Sequence, residues 1–404
     1  HQISQLNVDY LHDLNFKGEG LQIAILDAGF LGVEKFPAFS SIWNENRILG
    51  TKDFVEGNID VYKEHHHGMS VLSCLAANET GQLIGTAPNA SYWLLRTEDT
   101  NSEYIIEEDN WIVAAEFADS AGVDIINTSL GYNTFDDPDM DHTYAEMDGS
   151  TTRITRGANI AASRGILVVA SAGNEGRNNN QWRYIVAPAD GDDVLAIGAV
   201  NINGLPAPFT SLGPASDGDI KPNVAAMGWN IIMQRANGTI GTGNGTSFSA
   251  PLIAGAAACL WQTRRDATAK DIKQAIERSA HLHDSPDSLA GYGIPDFKLA
   301  LEILNASGQT VADKKSIWEI HPNPFNDFIE LQKHIGINQG KIQLAFFSLD
   351  GKLIRFEEKQ DAAKIRITNL QNLPTGILLL QIRTENSVEV AKIVRLNGAE
   401  TNTF

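Results

Sequence analysis

Between residues 21 and 301 short, largely apolar β-branched runs alternate with stretches of helical periodicity, and this alternation constrains the architecture more than any other feature. The runs include Leu21-Gln22-Ile23-Ala24-Ile25-Leu26, Ser91-Tyr92-Trp93-Leu94-Leu95, Val123-Asp124-Ile125-Ile126-Asn127, Ile166-Leu167-Val168-Val169-Ala170 and Val194-Leu195-Ala196-Ile197. Helical patterns start at His67, precede Gly122 and reach Arg164. Strands apolar on both faces and separated by helices indicate a mainly parallel sheet covered on both sides, an α/β domain of three layers.

In such sheets ligands bind beyond the carboxyl ends of the strands. The residues found there are Asp27, then Ser129-Leu130-Gly131, then Ser171-Ala172-Gly173-Asn174. After Leu304 the character changes. Asn305-Ala306-Ser307-Gly308-Gln309-Thr310 reads as a polar linker, and beyond Ile317 come short strands such as Phe328-Ile329-Glu330-Leu331, Ile342-Gln343-Leu344-Ala345-Phe346 and Ile365-Arg366-Ile367. Turns at Pro322-Asn323-Pro324 and Asp350-Gly351 separate them, as in a small β-sandwich. The expected organisation is a domain over residues 1–304, a linker over 305–316 and a β-sandwich over 317–404.

A length of 404 residues, 43% hydrophobic with 20% charged, suits two globular units. The net charge of −19 argues against nucleic acid as a partner, because that binding depends on Lys and Arg at phosphates. No run approaches the ~20 apolar residues of a transmembrane helix. The first residues, His1-Gln2-Ile3-Ser4-Gln5, have neither the basic start nor the apolar stretch of a signal peptide, so an intracellular or a processed form is expected. Cys74 and Cys259 lie in small-residue, apolar segments that favour two buried free thiols over one bridge.

Hydrolysis of a peptide bond by a serine needs a hydroxyl, a base, a carboxylate that holds the base, and donors for the oxyanion. Asp27, in Ile25-Leu26-Asp27-Ala28-Gly29, is a carboxylate delivered by a buried strand. His67, in His67-Gly68-Met69-Ser70-Val71, stands at a helix start. Ser247, in Gly243-Asn244-Gly245-Thr246-Ser247-Phe248-Ser249-Ala250-Pro251, precedes a helix whose amino end favours developing negative charge. Asn174 offers a neutral amide donor that could complete an oxyanion hole with the backbone N–H of Ser247. Taken singly, each has a plainer reading: turn residue, helix cap, or one of three consecutive histidines in a metal tract. His65 and His66 read as solvated neighbours, since adjacent residues diverge and no matching Cys or His cluster occurs.

Together and in this order, these segments resemble the subtilase family of serine peptidases, whose triad runs Asp, His, Ser. Gly85-Thr86-Ala87-Pro88-Asn89-Ala90 and Ile126-Asn127-Thr128-Ser129-Leu130-Gly131 extend the resemblance. It implies an endopeptidase acting on polypeptides with no required cofactor, in which Ser129, Leu130 and Gly131 pair with substrate as an edge strand and form one wall of the S1 pocket, with Ala172 and Gly173 as the other. It also implies a signal peptide and an inhibitory prodomain ahead of His1, both removed or left out of this sequence.

The chain departs from the family at Ala28, where a Ser or Thr hydroxyl usually supports the carboxylate, and at Phe248 and Ser249, where Met and Ala are usual. Asp136, Asp137, Asp139, Asp141, Glu146 and Asp148 fall in an insertion. Such a loop can bind calcium, but no recognisable ligand spacing runs through it and no metal residue is assigned. Glu103, Glu107, Glu108 and Asp109 fall where the resemblance puts the non-primed cleft and could favour basic substrate residues.

His321-Pro322-Asn323-Pro324-Phe325, Ser348-Leu349-Asp350-Gly351-Lys352, Leu373-Pro374-Thr375-Gly376-Ile377 and Lys392-Ile393-Val394-Arg395-Leu396 resemble the C-terminal sorting domain of type IX secretion systems. This implies a secreted or cell-surface protein whose partner is that machinery. His321 replaces a usual Tyr, and the tail 398–404 runs past the usual end.

Three rivals are weaker. An α/β-hydrolase has the order Ser, Asp, His and a Gly-x-Ser-x-Gly elbow, whose second Gly is Ser249 here. Dinucleotide binding lacks a Gly-x-Gly-x-x-Gly after the first strand. A pseudoprotease that binds peptides without cleaving them predicts a missing triad or oxyanion residue.

Overall fold

The computed structural model describes residues 1–57, 60–176, 182–312, 318–333, 340–348, 352–384 and 388–396. The Asp350-Gly351 turn, the tail 398–404 and positions 313–316 of the expected linker lie outside them. The chain divides into two compact units, His1–Gly308 and Gln309–Phe404.

The first unit is built on seven strands: β1 (Gln22–Asp27), β2 (Ile48–Asp53), β3 (Ser91–Arg96), β4 (Ile125–Thr128), β5 (Leu167–Ser171), β6 (Leu195–Val200) and β7 (Val224–Met227). They lie in the order β2-β3-β1-β4-β5-β6-β7 with every neighbouring pair parallel. The helices that position the site are α1 (His67–Ala76), α2 (Ile106–Ala121), α3 (Arg153–Ser163) and α4 (Thr246–Thr263).

Side chains alternate across the sheet, and the two faces feed separate cores. Ile23 and Ile25 of β1, with Leu167 and Val169 of β5, pack beside Met69 and Leu72 of α1 and Leu252 and Ile253 of α4. Ala24 and Leu26, with Val168 and Ala170, pack instead beside Trp111 of α2 and Ile154 of α3. This is the three-layer α/β arrangement read from the alternation of runs. Edge strand β2 was not legible as a run, because Gly50, Thr51, Lys52 and Asp53 interrupt its apolar character. Nor was β7, whose Val-Ala-Ala-Met could equally be helical.

Helix α4 is buried from Thr246 to Trp261. The Gly85-Thr86 segment lets it approach α1: a Cβ on Gly85 would lie 2.2 Å from Leu75 O, and one on Gly255 2.0 Å from Thr86 Oγ1. Both cysteines sit in these two helices as buried free thiols. Burial pushes Cys74 up to about 12. Among the described residues no helix is long and apolar enough to cross a membrane.

The polar stretch expected as a linker is instead helical over residues 305–312, where α5 (Phe297–Ala312) runs through it. Leu304, at 2% exposure, is its last buried apolar residue before that stretch. Once nucleated, a helix extends at little cost per residue, so it can outrun the apolar pattern that announces it.

The second unit has strands β8 (Trp318–His321), β9 (Ile329–Lys333), β10 (Lys341–Phe347), β11 (Leu353–Gln360), β12 (Lys364–Ile367), β13 (Gly376–Arg383) and β14 (Val388–Arg395). They form two antiparallel sheets, β8-β9-β12 and β11-β10-β13-β14. Trp318, Ile329 and Ile367 from one meet Leu344, Phe346 and Leu380 from the other in a single core. The His321-Pro322-Asn323-Pro324-Phe325 turn is tied to β14. Asn323 Nδ2 donates to Lys392 O at 3.0 Å, Val394 N donates to Asn323 Oδ1 at 2.8 Å, and Phe325 N donates to Val394 O at 2.8 Å.

Candidate active site

β1 lies between β3 and β4, and the chain crosses from one side of it to the other after β3, so a crevice opens at its carboxyl end. Asp27 ends β1, fully buried, and His67 begins α1. Two glycines allow them to meet. A Cβ on Gly68 would come within 2.6 Å of Gly29 O and 2.9 Å of Asp27 Cβ, and one on Gly29 within 2.4 Å of His65 N.

His67 Nδ1 and Asp27 Oδ1 are 2.8 Å apart. A carboxylate only accepts, so Nδ1 carries the proton and Nε2 is the basic nitrogen. Burial works against charging this imidazole, but the charge and hydrogen bond of Asp27 outweigh it and hold the pKa above 6.5. The same Oδ1 accepts from Ala28 N at 2.8 Å, whereas Oδ2 is buried without a partner among the described residues. Ala28 has no hydroxyl to offer it. His65 and His66 are exposed and belong to no group of described residues able to share a metal ion.

Ser247 is the second residue of α4 and is 9% exposed. Pro251 lies four residues further on and has no N–H for the Ser247 carbonyl. That carbonyl accepts instead from Ser129 Oγ at 2.8 Å, while Ser247 Oγ donates to Ser129 O at 3.2 Å. The proline in the Gly-Thr-Ser-x-x-x-Pro motif thus frees a carbonyl that locks the serine to the residue following β4. Phe248 puts its ring 5.7 Å from that of His67, so the larger residue packs against the imidazole.

Asn174 follows β5 and is exposed. Its Oδ1 accepts from Thr246 N at 2.9 Å and Thr246 Oγ1 at 3.1 Å. A backbone N–H can only donate, which fixes the amide orientation and leaves Nδ2 without a partner among the described residues. Ser247 N–H is likewise unpartnered there, as expected for an orphan donor at a helix start. Two donors therefore stand beside the serine. Thr246 was not singled out in the sequence, although it sits within the motif.

Ser129, Leu130 and Gly131 follow β4, and Ala172 and Gly173 follow β5. Gly173 has φ +108°, and added Cβ atoms on Gly131 and Gly173 would lie 2.2 Å and 3.1 Å from Val186 Cγ2. Val186 thus lies against both segments. No local pattern marks it, because its role comes from packing against two distant glycines.

The acidic residues divide into three groups. Glu108 is buried and pairs with His142 Nε2 at 2.5 Å, and it also accepts from Ile154 N at 3.2 Å. Asp109 pairs with Arg153. In the insertion, Asp136, Asp137, Asp141, Glu146 and Asp148 accept from backbone N–H groups at turns and caps. Glu103 and Glu107 converge with Glu98, which no sequence motif marks.

Residues 18–293 match the subtilase family, described as Peptidase S8, and residues 319–395 match a secretion system C-terminal sorting domain. The chain belongs to the subtilase family. It is 30% identical over 281 residues to Subtilisin NAT from Bacillus subtilis subsp. natto, covering 69% of this chain and 65% of that one. It is also 30% identical to a subtilisin from Bacillus pumilus, over 69% of this chain and 90% of the relative. The subtilase thus spans about 65% of the length of the curated relatives it first matches. The crystal structure of MycP1 without its N-terminal propeptide shares the fold at TM-score 0.59 and 23% identity, over 74% of this chain and 96% of that one. The sorting domain marks the subtilase as secreted or attached to the cell surface.

Proposed function

We propose that this subtilase is a serine endopeptidase that hydrolyses polypeptides, with the His1–Gly308 unit doing the chemistry and the second unit engaging a type IX secretion machinery. The observation that carries the reading is the 2.8 Å Asp27–His67 hydrogen bond, which leaves Nε2 as the base.

Ser247 Oγ attacks the scissile carbonyl carbon as its proton passes to His67 Nε2, and Asp27 stabilises the imidazolium that forms. Reaching Nε2 requires the hydroxyl to leave Ser129 O, to which it donates at 3.2 Å. The oxyanion accepts from Ser247 N–H and Asn174 Nδ2. Collapse of the tetrahedral species breaks the C–N bond, Nε2 returns the proton to the leaving amine, and water then hydrolyses the acyl ester by the same route. Substrate lies as an extended strand against Ser129, Leu130 and Gly131, with its P1 side chain between that segment and Ala172-Gly173 over Val186. These steps use only protein groups and require no cofactor.

The test is cleavage of unfolded casein, with fluorophosphonate labelling, by the chain and by Ser247→Ala. Both activities should be present in the parent and absent from the variant. An unlabelled parent that binds casein without cutting it would turn the reading to a peptide-binding pseudoprotease.

A further inference from the structure

Glu98, immediately after β3, Glu103 in the following loop and Glu107 in the first turn of α2 bring carboxylate oxygens within 4.8 Å of one another. Glu98 and Glu107 are 7% and 2% exposed. Their internal donors are few and neutral. Thr97 Oγ1 and Tyr132 Oη donate to Glu98 Oε1, and Asp99 N donates to Glu107 Oε1 at 2.7 Å. Glu107 Oε2 is buried with no partner, and no basic side chain pairs with any of the three among the described residues. Three carboxylates gathered this closely repel one another, and an unsatisfied buried carboxylate oxygen adds a desolvation cost.

We propose that Glu98, Glu103 and Glu107 bind a hard divalent cation, calcium. Calcium takes six to eight oxygen ligands at about 2.3–2.6 Å, and three carboxylate oxygens within 4.8 Å of one another can all reach one such ion. Magnesium dehydrates reluctantly and is usually held by one or two carboxylates, so three carboxylates at a largely buried site favour calcium. A divalent ion leaves one net negative charge at the site, whereas a lysine or arginine side chain from a peptide would leave two. Glu107 Oε2 gains the partner it lacks, and Glu103, the least buried of the three, leaves room for water ligands. Tyr132 adjoins Gly131, so the ion would brace the loop beside the candidate substrate strand.

The experiment uses the full chain as Ser247→Ala, which removes self-cleavage and makes the readout independent of proteolysis. The EDTA-stripped protein is titrated with calcium chloride by calorimetry, and thermal unfolding is followed with and without calcium. Glu107→Gln and the less buried Glu103→Gln are made in the same background, with circular dichroism as the fold check. Calcium should bind the parent and raise its Tm, and each variant should bind at least tenfold more weakly. Equal calcium affinity in parent and Glu103→Gln, or no calcium binding by the parent, overturns the proposal. Preferential binding of Lys- or Arg-containing peptides that Glu107→Gln abolishes, with no calcium binding, overturns it in favour of a pocket for basic side chains.

Discussion

Asp27 Oδ1 serves two donors, His67 Nδ1 and Ala28 N, both at 2.8 Å, while Asp27 Oδ2 has no partner among the described residues. The full charge of the carboxylate is thereby left to act on the imidazole. Although burial opposes protonation, that charge and the hydrogen bond hold His67 above 6.5. Catalysis needs neutral His67, so kcat/KM against pH should rise through an apparent pKa above 6.5. Asp27→Asn should move this limb down and reduce kcat by about 10⁴, the loss typical when the base is held in the wrong tautomer. A limb at or below 6.5 in the parent contradicts the assignment.

Ala28→Ser gives the orphaned oxygen a neighbouring hydroxyl. The added hydrogen bond should stabilise the fold by about 0.5–1.5 kcal/mol. It is read as a higher urea midpoint at unchanged m; an unchanged or lower midpoint would show that the hydroxyl fails to reach Oδ2.

Asn174→Ala removes the proposed oxyanion donor and should lower kcat by about 10²–10³ with little change in KM. Thr246→Val takes away the hydroxyl that helps orient Asn174 and also holds Gly173 N at 3.3 Å. Its kcat should fall less, because Thr246 N still fixes the amide. Steady-state kinetics on one peptide separates the two effects, and an Asn174→Ala variant with parental kcat removes the amide from the oxyanion hole.

His142 and Glu108 anchor the insertion to α2 with side chains 8% and 0% exposed. Burial of His142 opposes its charging, but the hydrogen bond and charge of Glu108 prevail and its pKa is raised above 6.5. A raised folded-state pKa means that this stabilisation is complete below 6.5 and fades as pH rises through the folded value. Glu108→Gln should therefore cost about 1.5–3 kcal/mol at pH 6 and progressively less in alkali. Denaturant unfolding at several pH values checks this, and a cost independent of pH argues against a charged pair.

The placement of Asp27 at a strand end and of His67 and Ser247 at helix starts was readable because each stands at a fixed offset from a glycine or a strand end that local chemistry makes conspicuous. The alternating runs were readable for the same reason, since burial on both faces leaves strand interiors almost wholly apolar. Val186 and Glu98 were not. Val186 acquires its place from Gly131 and Gly173, residues 55 and 13 positions upstream, and Glu98 from Glu103 and Glu107 folding back over it. The helix through residues 305–312 was hidden because continuation past a buried anchor leaves no periodic trace.

Ser247 lies in the first turn of the helix that is enclosed from Thr246 to Trp261. Such a segment cannot open without dismantling the cores on which it rests, so the hydrogen-bonded amides beyond its first turn should exchange with solvent only through global opening. Frayed loops or a loosened edge strand leave the proposed nucleophile where it is. Heat inactivation and loss of the native fold should consequently coincide, and self-digestion should find the chain either fully competent or wholly unfolded.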